Sequence, residues 1–201
     1  MIRRLSIFLL VFAAGPAGSA FAHSPIKGIG SFYNGMLHPL LVPAHLLALV
    51  AVGLLIGQHA PGAGRLSLPA FMGAVAVALA VTALADPVLP QWPILALALI
   101  AGLSIAASWS GGLLLPIVLS LLAAILVGLD SAPDGTGPQR AWVALSGTAV
   151  GTTLIIIYCG GLSAWFHRPW QRIAVRAVGS WIAASALLVL TLDLMSGRSP
   201  A

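Results

Sequence analysis

Side chains able to bind a metal ion cluster near the start of the first apolar segment. His38 and His45 stand seven residues apart in that segment, Met36–Gln58. On a straight helix both imidazoles share one face but lie about 10 Å apart along the axis. This is too far for both to hold one ion at about 2 Å. Pro39 and Pro43 each remove a backbone donor, so a kinked start would bring the rings closer or place them at successive sites.

Both histidines also have plainer explanations. His38, beside a proline, fits a residue at the membrane interface, and His45 fits a hydrogen bond between two helices. Ionisable groups within membrane segments are costly, however, and usually mark a pathway or a site.

The carboxylates are few, and the chain has no Glu. In the predicted topology, Asp130 and Asp193 fall near the outer ends of their segments, on the same side of the membrane as His38. They would join the histidines if these helix ends converge. The alternative is that each caps a helix or faces the interface. Asp86 and Asp134 stand beside prolines and fit loop residues. A set of His and Asp without Cys favours a borderline divalent ion over Cu(I).

The first 22 residues have the parts of a signal peptide. Arg3 and Arg4 precede a short apolar run, and Ala20-Phe21-Ala22 is a small-x-small cleavage site. Cleavage there would make His23 the N-terminus, whose amine and imidazole together can chelate a divalent metal. The alternatives are that His23 merely follows the cleavage site, and that the signal stays uncleaved as an extra helix.

The composition requires lipid as the solvent for most of the surface. The chain is 60% hydrophobic and 6% charged, with mean hydropathy +1.06, whereas globular domains carry about 25% charged residues. It predicts an all-α integral membrane protein: a six-helix transmembrane bundle after a cleaved signal peptide. The single domain covers 23–201, with spans at about 36–58, 66–85, 92–109, 113–129, 141–166 and 173–195.

Orientation follows from the signal and the charges. A cleaved signal leaves the N-terminus outside a bacterial-type inner (plasma) membrane, and six spans return the C-terminus to the same side. Arg65, Arg168 and Arg172 then lie inside, which agrees mildly with the positive-inside rule. His59 and His167 also fall on the inner side, as loop residues or as exit ligands. The charge pattern holds no patch dense enough for nucleic acid.

The first apolar segment resembles a known family. It reads His38-Pro39-Leu40-Leu41-Val42-Pro43-Ala44-His45, and is similar to the His-Pro-x-x-Gly-x-Asp-His motif of the HupE/UreJ proteins. These are hydrogenase- and urease-associated membrane proteins regarded as nickel or cobalt permeases, with a signal peptide and six spans. Ala44 stands where the family has Asp, and Val42 where it has Gly, so the resemblance implies a divergent member.

The resemblance and the residues together predict a secondary uptake permease for a divalent transition-metal ion, nickel or cobalt. The ion would be captured by His and Asp at the outer face, at the candidate ligands His23, His38, His45, Asp130 and Asp193. The alternative is a non-transporting accessory or assembly protein for a metalloenzyme; copper fits this role, since an N-terminal His suits Cu(II). The expected partners are the lipid bilayer, the metal ion, and a metalloenzyme or its maturation proteins.

An enzyme is not expected. A metalloprotease helix would need His-Glu-x-x-His, and the chain has no Glu. Ser163 lacks the following glycine of a serine hydrolase motif and is predicted far from His38 and His45. An ATP-binding Gly-x-x-x-x-Gly-Lys motif is also missing from the sequence, so transport would be driven by a gradient or potential.

Overall fold

A computed structural model describes residues 28–59, 61–85, 87–109, 111–133 and 137–196. All secondary structure in these ranges is α-helical. The helices are α1 (Ser31–Leu41), α2 (Pro43–Gln58), α3 (Gly62–Ala85), α4 (Trp92–Ala106), α5 (Leu114–Leu129), α6 (Pro138–Trp165) and α7 (Pro169–Ser196). The predicted signal peptide, His23, Asp86 and Asp134 lie outside the described residues.

Three helices, α3, α6 and α7, are long and apolar enough to cross a membrane. The pair α1 and α2 passes the same test together, although the two are bent by 76° at a short break. The helices α4 and α5 are apolar but shorter, with 15 and 16 residues. At about 1.5 Å per residue they span roughly 22–24 Å, less than a hydrocarbon layer of about 30 Å.

The first predicted segment is divided into two helices at Val42. Val42 has extended backbone angles, φ −91° and ψ 108°. A residue that precedes a proline is pushed towards this conformation, because the proline ring clashes with a helical neighbour. Pro43 then opens α2, where the missing N–H is not needed. The sequence Val42-Pro43 is therefore the local cause of the bend.

A threonine from α6 compensates for the other proline of this segment, Pro39. Pro39 lies inside α1 and cannot donate to the carbonyl of Gly35, four residues earlier. The hydroxyl of Thr148 donates to that carbonyl over 3.1 Å. The freed backbone oxygen is thus satisfied by a neighbouring helix, as membrane helices with prolines require.

The central helix of the fold is α2, which contacts all six of the others. Its neighbours approach closely where residues are small. A side chain on Gly57 would overlap the backbone of Gly160 in α6, and side chains on Gly147 or Gly151 would overlap the backbone of α1. Small residues permit such contact, which replaces the hydrophobic effect as the source of helix association in lipid.

Contacts between helices also give their relative directions. The helices α2 and α6 run the same way, because Gly53 lies against Ile156 and Gly57 against Gly160. The helices α4 and α7 run in opposite directions, with Arg176 donating to the carbonyl of Ala106. One end of the molecule, here named the His59 end, therefore gathers the ends of α2, α4 and α6 and the start of α7. The start of α2 meets the end of α5 at the opposite, His45 end.

The glycine contacts yield a stability prediction. In Gly151→Ala the new methyl group would overlap the carbonyl of Met36, and overpacking of this kind costs about 1–3 kcal/mol. In the control Gly161→Ala, ten residues further along α6, nothing lies within 4 Å of the new methyl group. That change should be neutral or stabilise by up to about 1 kcal/mol, since Ala favours helix. Thermal unfolding in detergent measures both, and equal melting temperatures would contradict the packing of α1 on α6.

Candidate metal centre

His45 is a buried histidine paired with a carboxylate from another helix. It lies in the first turn of α2 and is 0% exposed. Its Nε2 lies 2.9 Å from Oδ2 of Asp130, whose side chain is 13% exposed. Asp130 immediately follows α5 and caps its C-terminal end. The two residues are 85 positions apart in the chain, so the pair exists only because α2 and α5 pack together.

Helix dipoles affect how stable the charged carboxylate of Asp130 is at this position. The C-terminal end of α5 carries partial negative charge, which disfavours a carboxylate on the next residue. The N-terminal end of α2, which Asp130 reaches through His45, carries partial positive charge and favours it. The break at Val42 creates that second helix start inside the fold. The position of Asp130 therefore depends on the broken helix.

The hydrogen bond also fixes the histidine ring. Nε2–H of His45 donates to Asp130, which leaves Nδ1 of a neutral ring with its lone pair. Nδ1 is buried and has no hydrogen-bond partner among the described residues. A carboxylate behind a histidine is the arrangement that orients metal-binding imidazoles and raises their basicity. His45 can therefore donate the lone pair of Nδ1 to an electrophile such as a metal ion.

His38 completes the group. Its ring lies edge-to-face on that of His45, with ring centroids 5.3 Å apart and an interplanar angle of 70°. The bend at Val42 therefore brings together two rings that a straight helix would hold about 10 Å apart. The distance is short enough for the two imidazoles to face one bound ion.

The other candidates are placed differently. Asp193 is exposed near the end of α7, a helix that packs mainly against α4. His23 lies outside the described residues. Within the described residues, no group of three His, Cys, Asp or Glu side chains is arranged to hold a metal ion. The site is therefore a histidine pair with an orienting carboxylate, and an ion would need further ligands.

A second polar region lies at the His59 end. A cavity of about 370 Å³ is lined there by residues that include Gln58, His59, His167 and Arg172. The sequence did not indicate Gln58 as a functional residue, because a single amide at the end of an apolar segment is typical of a helix terminus. The gathering of α2, α4, α6 and α7 around one cavity is decided by packing between residues distant in the chain.

Comparison with known families decides the relationship of the chain. Residues 10–189 match the family model described as HupE / UreJ protein. The chain belongs to the HupE/UreJ family. No curated protein and no solved structure matches it. The resemblance read from the first apolar segment is thereby confirmed, and with the apolar helices it identifies a multi-pass membrane protein of a family associated with nickel or cobalt handling.

The departure of this chain from the HupE/UreJ motif has a structural counterpart. Ala44, at the position of the motif's Asp, is buried beside His45. The carboxylate that contacts His45 comes instead from Asp130, across the helix interface. This chain therefore has an acid next to the second histidine, and it comes from the end of α5 rather than from the preceding position.

Replacing the carboxylate tests its orienting role. Asp130→Asn keeps the shape of the side chain but removes its charge, and should weaken Co(II) or Ni(II) binding by roughly 10–100-fold, the usual effect of losing an outer-shell partner. Asp193→Asn, which removes an exposed carboxylate, is the matched control and should bind as the wild type does. Competition with a metal indicator on purified protein measures both. Equal weakening in the two variants would show that general charge, rather than contact with His45, matters.

Proposed function

We propose that this protein is a secondary uptake permease for a divalent transition-metal ion, nickel or cobalt. The proposal includes a cleaved signal, six membrane spans in an inner (plasma) membrane, and both termini outside. The alternating directions of the helices support six spans, with α1 and α2 together as a broken first one. In that arrangement, α4 and α5 are accommodated by local thinning of the bilayer.

The charges support an orientation with the His59 end inside. Arg65, Arg168, Arg172 and Arg176 belong to that end of the molecule. Among the described residues, the opposite end holds Arg140. Cytoplasmic loops of membrane proteins carry an excess of basic residues. The His45 end would then face the source of the ion.

The observation that carries the proposal is the pair of the buried His45 and the partly buried Asp130 at a helix break. A buried ionisable pair in a membrane protein is costly and usually marks an ion or proton pathway. Broken helices are a common way for transporters to build a site within the membrane. His45 and His38 would take the incoming ion, His23 would add ligands from the N-terminus, and Asp130 would hold the ring of His45.

In this proposal, the apolar middle of α2 would prevent leakage of the ion. Every residue between His45 and Gln58 in α2 is apolar or glycine, and most of them are buried. This stretch closes the route between the two ends. Passage would need α2 to move against α6, and the bend at Val42 is where such a movement would be accommodated.

The same apolar stretch favours a second candidate, a non-transporting accessory or assembly protein for a metalloenzyme. Such a protein would hold an ion, nickel, cobalt or Cu(II), at the His45 end and pass it to a partner on that side. It would need no route along α2. In neither case do we propose an enzyme or a nucleic-acid-binding protein.

Uptake of radioactive nickel and cobalt separates the two candidates. Cells with the wild-type protein should accumulate the ion well above cells without it, and His45→Leu should reduce the excess at least about ten-fold, since a buried ligand is lost. Washing with a chelator that does not enter cells separates internal from surface-bound ion. Equal internal ion with and without the protein would reject the permease, and surface ion that depends on His45 would then support the accessory role. N-terminal sequencing of the same protein tests whether His23 is exposed by cleavage.

A further inference from the structure

The cavity at the His59 end is lined by two residues, Gln58 and His59, that each carry a buried acceptor atom without a hydrogen-bond partner among the described residues. Its lining includes Gln58, His59 and His167. His59 follows His45 by 14 residues, about 21 Å along α2. The cavity is therefore separate from the histidine pair at the His45 end, with the buried apolar part of α2 between them.

The ring of His59 is held in one tautomer. Its Nδ1–H donates to the carbonyl of Leu55 over 3.0 Å, so Nε2 of the neutral ring carries a lone pair. Nε2 is buried and has no hydrogen-bond partner among the described residues. A histidine that donates one ring N–H to a backbone carbonyl and leaves the other nitrogen open has the geometry of a metal ligand.

Gln58 adds a second acceptor. Its Nε2 donates to the carbonyl of Ile105 over 3.4 Å, which directs the amide. Its Oε1 is buried and has no hydrogen-bond partner in the described part of the chain. A buried polar atom without a partner typically costs about 1–3 kcal/mol. Two such atoms on adjacent residues are explained if a ligand occupies the cavity beside them.

We propose that this cavity is a second site for a divalent transition-metal ion. Its donors are Nε2 of His59, Oε1 of Gln58 and the imidazole of His167, which is exposed and lines the cavity. Imidazole and neutral oxygen ligands suit the same borderline ions as the His45 end. Its use as the release site rests on the proposed permease function, whereas binding itself does not.

The charges give this site a lower affinity than the first. No carboxylate is among the described residues that line the cavity, and Arg172 places a guanidinium there. The His45 end has the carboxylate of Asp130 beside its ring. A divalent cation is therefore held less tightly at the His59 end, which suits release.

An anion is the alternative ligand for this cavity, since Arg172 and His167 would attract one. The buried acceptors argue against it. Nε2 of His59 and Oε1 of Gln58 both present lone pairs, and these repel an anion but attract a cation. Binding of inorganic phosphate is therefore an outcome that the experiment must separate.

The proposal is tested by titrating Co(II) into the purified full chain, which carries a tag without histidine. Binding is followed by the visible absorbance of Co(II). The wild type should bind in a tight and a weak phase. His45→Leu should remove the tight phase and keep the weak one. His59→Leu should weaken the weak phase at least about ten-fold, as loss of a ligand does. His167→Leu changes an exposed residue, so it should fold normally and weaken the same phase even if His59→Leu does not fold.

Phe166→Leu is the matched control, because Phe166 lines the same cavity without a donor atom, and both phases should remain. A weak phase unchanged in His167→Leu and His59→Leu overturns the proposal. Binding of inorganic phosphate to the metal-free wild type, with loss of that binding in His167→Leu and no weak Co(II) phase, would also overturn it. Absence of uptake with the weak phase intact would reject the permease alone, whereas normal uptake without a weak phase would reject this site alone.

Discussion

The bend between α1 and α2 is the constraint on which the rest of the site depends. Val42 is extended because Pro43 follows it, and α2 therefore starts inside the fold with a free N-terminal end. That start buries the side chain of His45 in the first turn of α2, and brings its ring against that of His38. A continuous helix would separate the two rings by about two turns and would offer Asp130 no helix N-terminus. The donor that Pro39 lacks is replaced by Thr148, so the disturbed backbone is stabilised rather than merely tolerated.

Lipid as the solvent determines where polar chemistry can lie. With α2 in contact with all six other described helices, its middle is surrounded by apolar and small side chains. Polar groups gather at its two ends, where backbone and loops supply partners. The ends differ in charge: a carboxylate lies beside His45, and a guanidinium lies in the cavity beside His59. A divalent cation would therefore be attracted by the carboxylate at the first end and disfavoured by the guanidinium at the second.

The family relationship acquires a more specific meaning from the contacts. The chain belongs to the HupE/UreJ family by a match over most of its length, yet Ala44 replaces the acid of the motif. In space, Asp130 contacts the second histidine from α5. This chain thus has a carboxylate near the second imidazole, in a position to orient the ring.

The sequence by itself determined the solvent and the helical class, and it indicated Pro39 and Pro43 as positions where the first helix could be distorted. Composition required a membrane, and the apolar segments and prolines gave most helices to within a few residues, because hydropathy and proline chemistry act locally. It also singled out His38, His45 and Asp130 as candidates. Only the tertiary structure decided that Asp130 meets His45, that Asp193 is exposed on α7, and that Gln58 and His59 line a cavity at the opposite end. These relations join residues on different helices, and small-residue packing between helix faces sets them, which no local pattern in the chain records.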